Sequence, residues 1–102
     1  MKPKHFAYVY DRRGRLLAVG ENQYDRTHAV QYRYARRSGE PMRVYLHAEM
    51  AAIIKALKRG TPHMILVTRH FADGTPAPSK PCPACWLAIK EAGILPRNVR
   101  HT

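Results

Sequence analysis

Apolar and polar positions change period along the chain, and the changes mark out its elements. Phe6-Ala-Tyr-Val-Tyr10 is aromatic and β-branched, the composition of a strand. Asp11-Arg12-Arg13-Gly14 is a turn, and Arg15-Leu-Leu-Ala-Val-Gly20 is the return strand of a hairpin. Gly20 to Gln23 breaks the pattern. His28 to Arg37 then reads as a helix, with Thr27 as its cap and Gly39 and Pro41 ending it. Val30 and Tyr34 share one side of it; Arg33, Arg36 and Arg37 load another, with Tyr32 and Tyr34 interleaved. Arg43-Val-Tyr-Leu46 is a short apolar stretch leading to His47. Met50 to Arg59 predicts a second helix with Ile53, Ile54 and Leu57 on one face and Gly60 as the stop. The continuous apolar run from His63 to Thr68 predicts the most buried strand.

A proline-bearing loop from His70 to Pro81 follows. Pro83 suits the first position of a third helix, capped by Cys82. Cys85, Ala88, Ile89 and Ala92 make its inner face, and Gly93 ends it. Residues Asn98 to Thr102 form an edge strand at most. The order ββ(α)αβαβ predicts an α/β fold, a sheet of about four strands with helices covering it.

At 102 residues the chain is expected to be one domain spanning residues 1–102. Such a length buries roughly 60–70% of the unfolded surface, a core with little reserve. No segment approaches the ~20 apolar residues of a membrane span, so no membrane partner is expected. The basic Met1 to Phe6 precedes no apolar signal core. Two Cys in metal-like spacing, with none left for a disulfide, fit a cytoplasmic protein. Lys and Arg number 18 against 7 acidic residues, a formal net charge of +11, and 10 of the 18 precede His47. This balance favours anionic partners, nucleotides or nucleic acid. A solvated basic surface accounts for it as well.

The candidate chemistry sits at His47-Ala48-Glu49 and Pro81-Cys82-Pro83-Ala84-Cys85. Zinc takes nitrogen and sulfur ligands in a tetrahedron, and a catalytic site leaves one position open. His47, Cys82 and Cys85 make such a three-ligand set for Zn2+. Cys82 and Cys85, three apart, share a helix face, and a helix N-terminus favours the thiolate. Glu49, offset by two residues, reaches the open position and is the candidate catalytic carboxylate. Alone, the C-x-x-C also fits a redox pair or half of a structural zinc site. The proline-rich loop before it argues against the redox context, and a closed structural site needs a fourth ligand such as His28, His63 or His70.

H-x-E followed by P-C-x-x-C is the signature of zinc deaminases acting on nucleobases. By these residues the chain resembles the cytidine/deoxycytidylate deaminase superfamily, in particular its small phage-type deoxycytidylate deaminases. The resemblance runs from about Ala7 to the C-terminus. It implies a three-layer α/β/α cytidine-deaminase-like core, with the helix between the second strand and the metal helix as an insertion. It also implies hydrolytic deamination of cytosine to uracil, with Glu49 shuttling the proton. Asn22 and the backbone at Ala48 match positions that touch substrate in the proteins it resembles. The expected substrate is a free nucleotide or nucleoside such as dCMP; single-stranded DNA or RNA is the alternative, motivated by the charge and the Arg/Tyr helix. Guanine, adenine in tRNA and pterin-like or antibiotic rings are not separated from these by the motifs. A non-catalytic zinc-stabilised nucleic-acid-binding module is a further alternative. Family members usually continue with another helix and a fifth strand. The sheet therefore looks truncated at the C-terminus, and a homo-oligomer is expected to complete the pocket.

Overall fold

A computed structural model describes residues 4–22, 29–39 and 47–102. The expected cap Thr27, the helix start at His28 and the stretch 43–46 lie outside the described residues. The elements are β1 (Lys4–Tyr10), β2 (Leu16–Glu21), α1 (Ala29–Arg37), α2 (Ala48–Leu57), β3 (Met64–His70), α3 (Pro83–Glu91) and β4 (Val99–His101). A single 3-10 turn at Pro96–Asn98 precedes β4. The four strands form one mixed sheet in the order β2-β1-β3-β4. β1 is antiparallel to both β2 and β3, and β4 runs parallel to β3 at the edge. This is the α/β architecture expected of the sequence, consistent with a cytidine-deaminase-like fold.

Alternation along the central strands separates the two faces of the sheet. Ala7 and Val9 pair with Val67 and Ile65, and all four are fully buried on the inner face. Tyr8, Tyr10, Met64 and Leu66 point the other way and are half-buried. The apolar run of β3 is buried only at alternate residues, because one face of the sheet carries the core.

α2 packs on the inner face with Ala48, Met50, Ala51, Ala52, Ile53 and Ala56 buried. It starts two residues earlier than periodicity suggests, and Leu57 is 56% exposed rather than inward. The reason lies in β2. A Cβ placed on Gly20 would sit 2.3 Å from the Ala48 carbonyl oxygen and 2.4 Å from the Ala52 nitrogen. Helix and strand backbones meet there, so the small Ala side of α2 turns inward and Leu57 turns out. α3 joins the same core through Ala88 and Ile89, and its end is marked by Gly93 at φ +87°. α1 packs against α3. Its buried residues are Gln31 and Ala35, whereas Val30 and Tyr34 are half-buried. At the far end Tyr34 and Arg37 both reach Glu91 of α3.

Candidate active site

Two helix starts converge on one point. His47 is the N-cap of α2 and Cys82 the N-cap of α3, both in extended backbone conformation, with Pro83 in the first turn of α3. The loop before Cys82 is tied to the sheet: the Ala77 N–H donates to the Arg69 carbonyl at 2.7 Å and the Ser79 hydroxyl to the Val67 carbonyl at 2.9 Å. His47 Nδ1 lies 3.4 Å from Cys82 Sγ and 3.4 Å from Cys85 Sγ. All three donor atoms fall within 4.8 Å of one another. A tetrahedral zinc with bonds of ~2.0–2.3 Å separates its ligand atoms by roughly 3.5–3.8 Å. The His/Cys/Cys set therefore has the composition and spacing for Zn2+. Among the described residues no fourth His, Cys, Asp or Glu joins it.

The electrostatics agree with that donor set. A hydrogen bond from Cys85 brings the Cys82 thiol down to about 4; burial opposes the shift and His47 reinforces it. Cys85 is pushed well up, by its own hydrogen bond to Cys82 and by burial. One thiolate thus forms readily and the second resists, until a cation replaces its proton.

Glu49 stands in the first turn of α2, 1% exposed. Burial raises its carboxyl pKa, but His5, the backbone N–H of Glu49 itself and His47 together outweigh burial and the net direction is down. Its Oε1 lies 3.2 Å from His5 Nε2, although neither atom has an aligned hydrogen bond. The Asn22 side-chain oxygen accepts the Ala48 N–H at 2.6 Å. Ala48 is fully buried, and Asn22 lines the cavity. The Gln31 side-chain oxygen accepts the His47 N–H at 3.2 Å.

His5, Asn22, His47, Glu49 and Cys82 line a cavity of about 240 Å³, and Arg69 and Lys80 add cationic groups to it. Larger hollows lie elsewhere among the described residues. One, of about 860 Å³, is at the hairpin turn beside Arg12, Arg13, Arg15 and Arg59. Another, of about 660 Å³, lies beside Trp86 and Leu95. Neither contains the metal-binding group, so size does not locate the chemistry here. Of the three His considered as a fourth ligand, His63 lines the hairpin hollow, His70 pairs with Lys4 at the end of the sheet and His28 lies outside the described residues.

His5 and Gln31 are the residues that motif reading passes over. A signal for His5 was present: it shares the strand parity of Ala7 and Val9, so it extends their inward stripe. Gln31 had none, since its helix was read through its Arg and Tyr residues.

The fold and the His/Cys/Cys group together define a zinc-binding α/β domain with a buried carboxylate beside the metal position. The family model of the cytidine and deoxycytidylate deaminase zinc-binding region matches residues 3–99, and the chain belongs to that family. No curated protein and no solved structure gives a significant match. No described helix is long and apolar enough to cross a membrane.

Proposed function

We propose that the protein is a hydrolytic deaminase converting a cytosine ring to uracil, with a free nucleotide or nucleoside such as dCMP as substrate. The observation that carries this is Glu49, a carboxylate buried to 1% exposure beside a three-donor metal group that leaves one coordination position open. Zn2+ held by His47, Cys82 and Cys85 would polarise a water and lower its pKa toward ~7.

The chain's own residues do the rest. Glu49 takes one proton from the water and delivers it to the ring nitrogen as the oxygen bonds to C4; it then passes the second proton of that oxygen to the amino group, the C4–N bond breaks and ammonia leaves. Asn22 borders the cavity at the end of β2, where it can hydrogen-bond the substrate, and its oxygen ties β2 to the start of α2. Gln31 fixes the backbone of His47. Lys80 and Arg69 make the cavity attractive to a phosphate-bearing substrate.

Deamination of single-stranded nucleic acid is the second reading, favoured by the net charge of +11. The Arg/Tyr helix supports it less than its composition suggests, because Tyr34 and Arg37 are engaged with Glu91. A homo-oligomer completing the cavity is part of the proposal; a monomeric mass with full activity would remove it.

The test is mass spectrometry of a mixed reaction. The zinc-loaded protein is given cytidine, dCMP, guanine, and DNA and RNA single strands, beside Glu49→Ala. Conversion of dCMP or cytidine, lost in the variant while zinc is retained, is expected. Conversion of the oligonucleotides alone, with a steep fall as salt rises, would shift the reading to the polymer. No conversion with zinc bound and oligonucleotides retained would shift it to a binding module.

A further inference from the structure

We infer that His5, on the first strand, is a positioning residue for the Glu49 carboxylate. The inference rests on the deaminase reading for its catalytic consequence and on geometry alone for the contact.

A buried carboxylate needs a partner, because an unpaired charge away from water is costly. Glu49 Oε1 is buried without an aligned hydrogen bond, and so is His5 Nε2. The two atoms are 3.2 Å apart. Each is therefore the group that accounts for the other. With hydrogen on Nε2, a small rotation of either side chain makes the bond without moving the backbone, and catalytic hydrogen bonds commonly tighten in this way when substrate binds.

Strand pairing holds His5 in place. β1 is an inner strand, paired on both sides, and His5 stands opposite Arg69 of β3. Its carbonyl accepts the Asn22 N–H at 3.3 Å. Asn22 in turn accepts the Ala48 N–H at 2.6 Å. One chain of contacts thus links β1, the end of β2 and the first turn of α2, the turn that carries Glu49. The His5 side chain is only 15% exposed, at the wall of the cavity. A rigid strand holding an N–H against one carboxylate oxygen leaves the other oxygen for the proton that moves in the reaction. The neutral imidazole suffices, so no change of charge is required.

The test compares His5→Phe, which keeps a ring without a donor, with His5→Gln, whose amide can place a donor near Nε2. Expected for His5→Phe is a fall in kcat of about 10- to 100-fold, the usual effect of losing an outer partner of a catalytic group. KM and zinc content should stay at wild-type values, the melting temperature should fall somewhat because Glu49 loses its buried partner, and His5→Gln should recover part of kcat. A second readout does not depend on turnover. In the zinc-loaded protein the ring ¹⁵N resonance of His5 Nε2 should shift on Glu49→Gln, while the other His rings outside the metal group should not. An unchanged His5 resonance would overturn the contact. Equal kcat in wild type and His5→Phe, or a loss confined to KM, would overturn the positioning role. If wild type converts no cytosine compound, the deaminase reading fails, and the resonance still decides whether His5 holds Glu49.

Discussion

The two faces of the sheet are built from the same strands, yet they do different things. On the inner face Ala7, Val9, Ile65 and Val67 are fully buried beneath α2. One step further along each central strand the apolar stripe ends in His5 and Arg69, which border the cavity. On the outer face Tyr8, Tyr10, Met64 and Leu66 remain half-buried. The core and the site are therefore one continuous surface, and packing errors on it should reach the chemistry. The outer face should tolerate change with small effects on either.

The largest effect belongs to Glu49, packed against the inner face. Glu49→Gln keeps the size and burial of the side chain but removes its basicity. Under the deaminase reading kcat should fall about 10²- to 10⁴-fold, or ~3–5 kcal/mol in the barrier. Zinc stoichiometry should be unchanged, as metal analysis of the purified variant would show. Loss of zinc in parallel with activity would make Glu49 a ligand and break the assignment.

Next comes Gly20. An added methyl would lie 2.3 Å from one backbone atom of α2 and 2.4 Å from another, neither of which is a flexible side-chain end. Gly20→Ala should cost the upper part of the ~1–3 kcal/mol typical of overpacking, or more, read from denaturant midpoints. Because α2 must retreat at Ala48, zinc affinity should fall as well. A variant as stable as wild type would mean that helix and strand are not in backbone contact.

The faces can then be compared directly within β3. Ile65→Ala opens a cavity in the core and should cost about 2–5 kcal/mol. Leu66→Ala, on the half-buried side, should cost roughly half as much, since less surface returns to water. Equal costs would show that the outer face is covered in solution, as a second copy of the chain would cover it; sedimentation of the two variants at several concentrations would identify that case.

The same contrast explains what could be read from the residues alone. His47, Glu49, Cys82 and Cys85 are legible because their chemistry demands fixed local spacings, and a helix start presents each group. The strands and helices are legible because their periods are local. Leu57 and the inner face of α2 were not, because hydrophobicity favours large residues whereas Gly20 demands small ones there. His5 escaped because its meaning depends on a strand pairing and on a carboxylate 44 positions away, Glu49. Gln31 escaped because a buried amide within a polar helix looks like a solvated residue until its partner, the His47 N–H, is in place.

The smallest expected effect lies outside both faces, where α1 is fastened to α3. Arg37 first, and then Tyr34, hold the Glu91 carboxyl down to about 2, against an ordinary value of 4.5, with burial opposing weakly. A carboxyl depressed in the folded state contributes stability that is complete above about 4.5 and is lost as pH falls toward 2. Glu91→Gln should therefore lower the melting temperature slightly at pH 7, and the gap to wild type should close between pH 4.5 and 2. The pair is exposed, 48% for Arg37 and 41% for Glu91, so solvent and salt screening keep the effect small. Both helices matter to the site, since α1 carries Gln31 and α3 carries Cys85. A gap that persists unchanged at pH 2 would mean that Glu91 acts through packing rather than charge, and that α1 is held to α3 by its buried side alone.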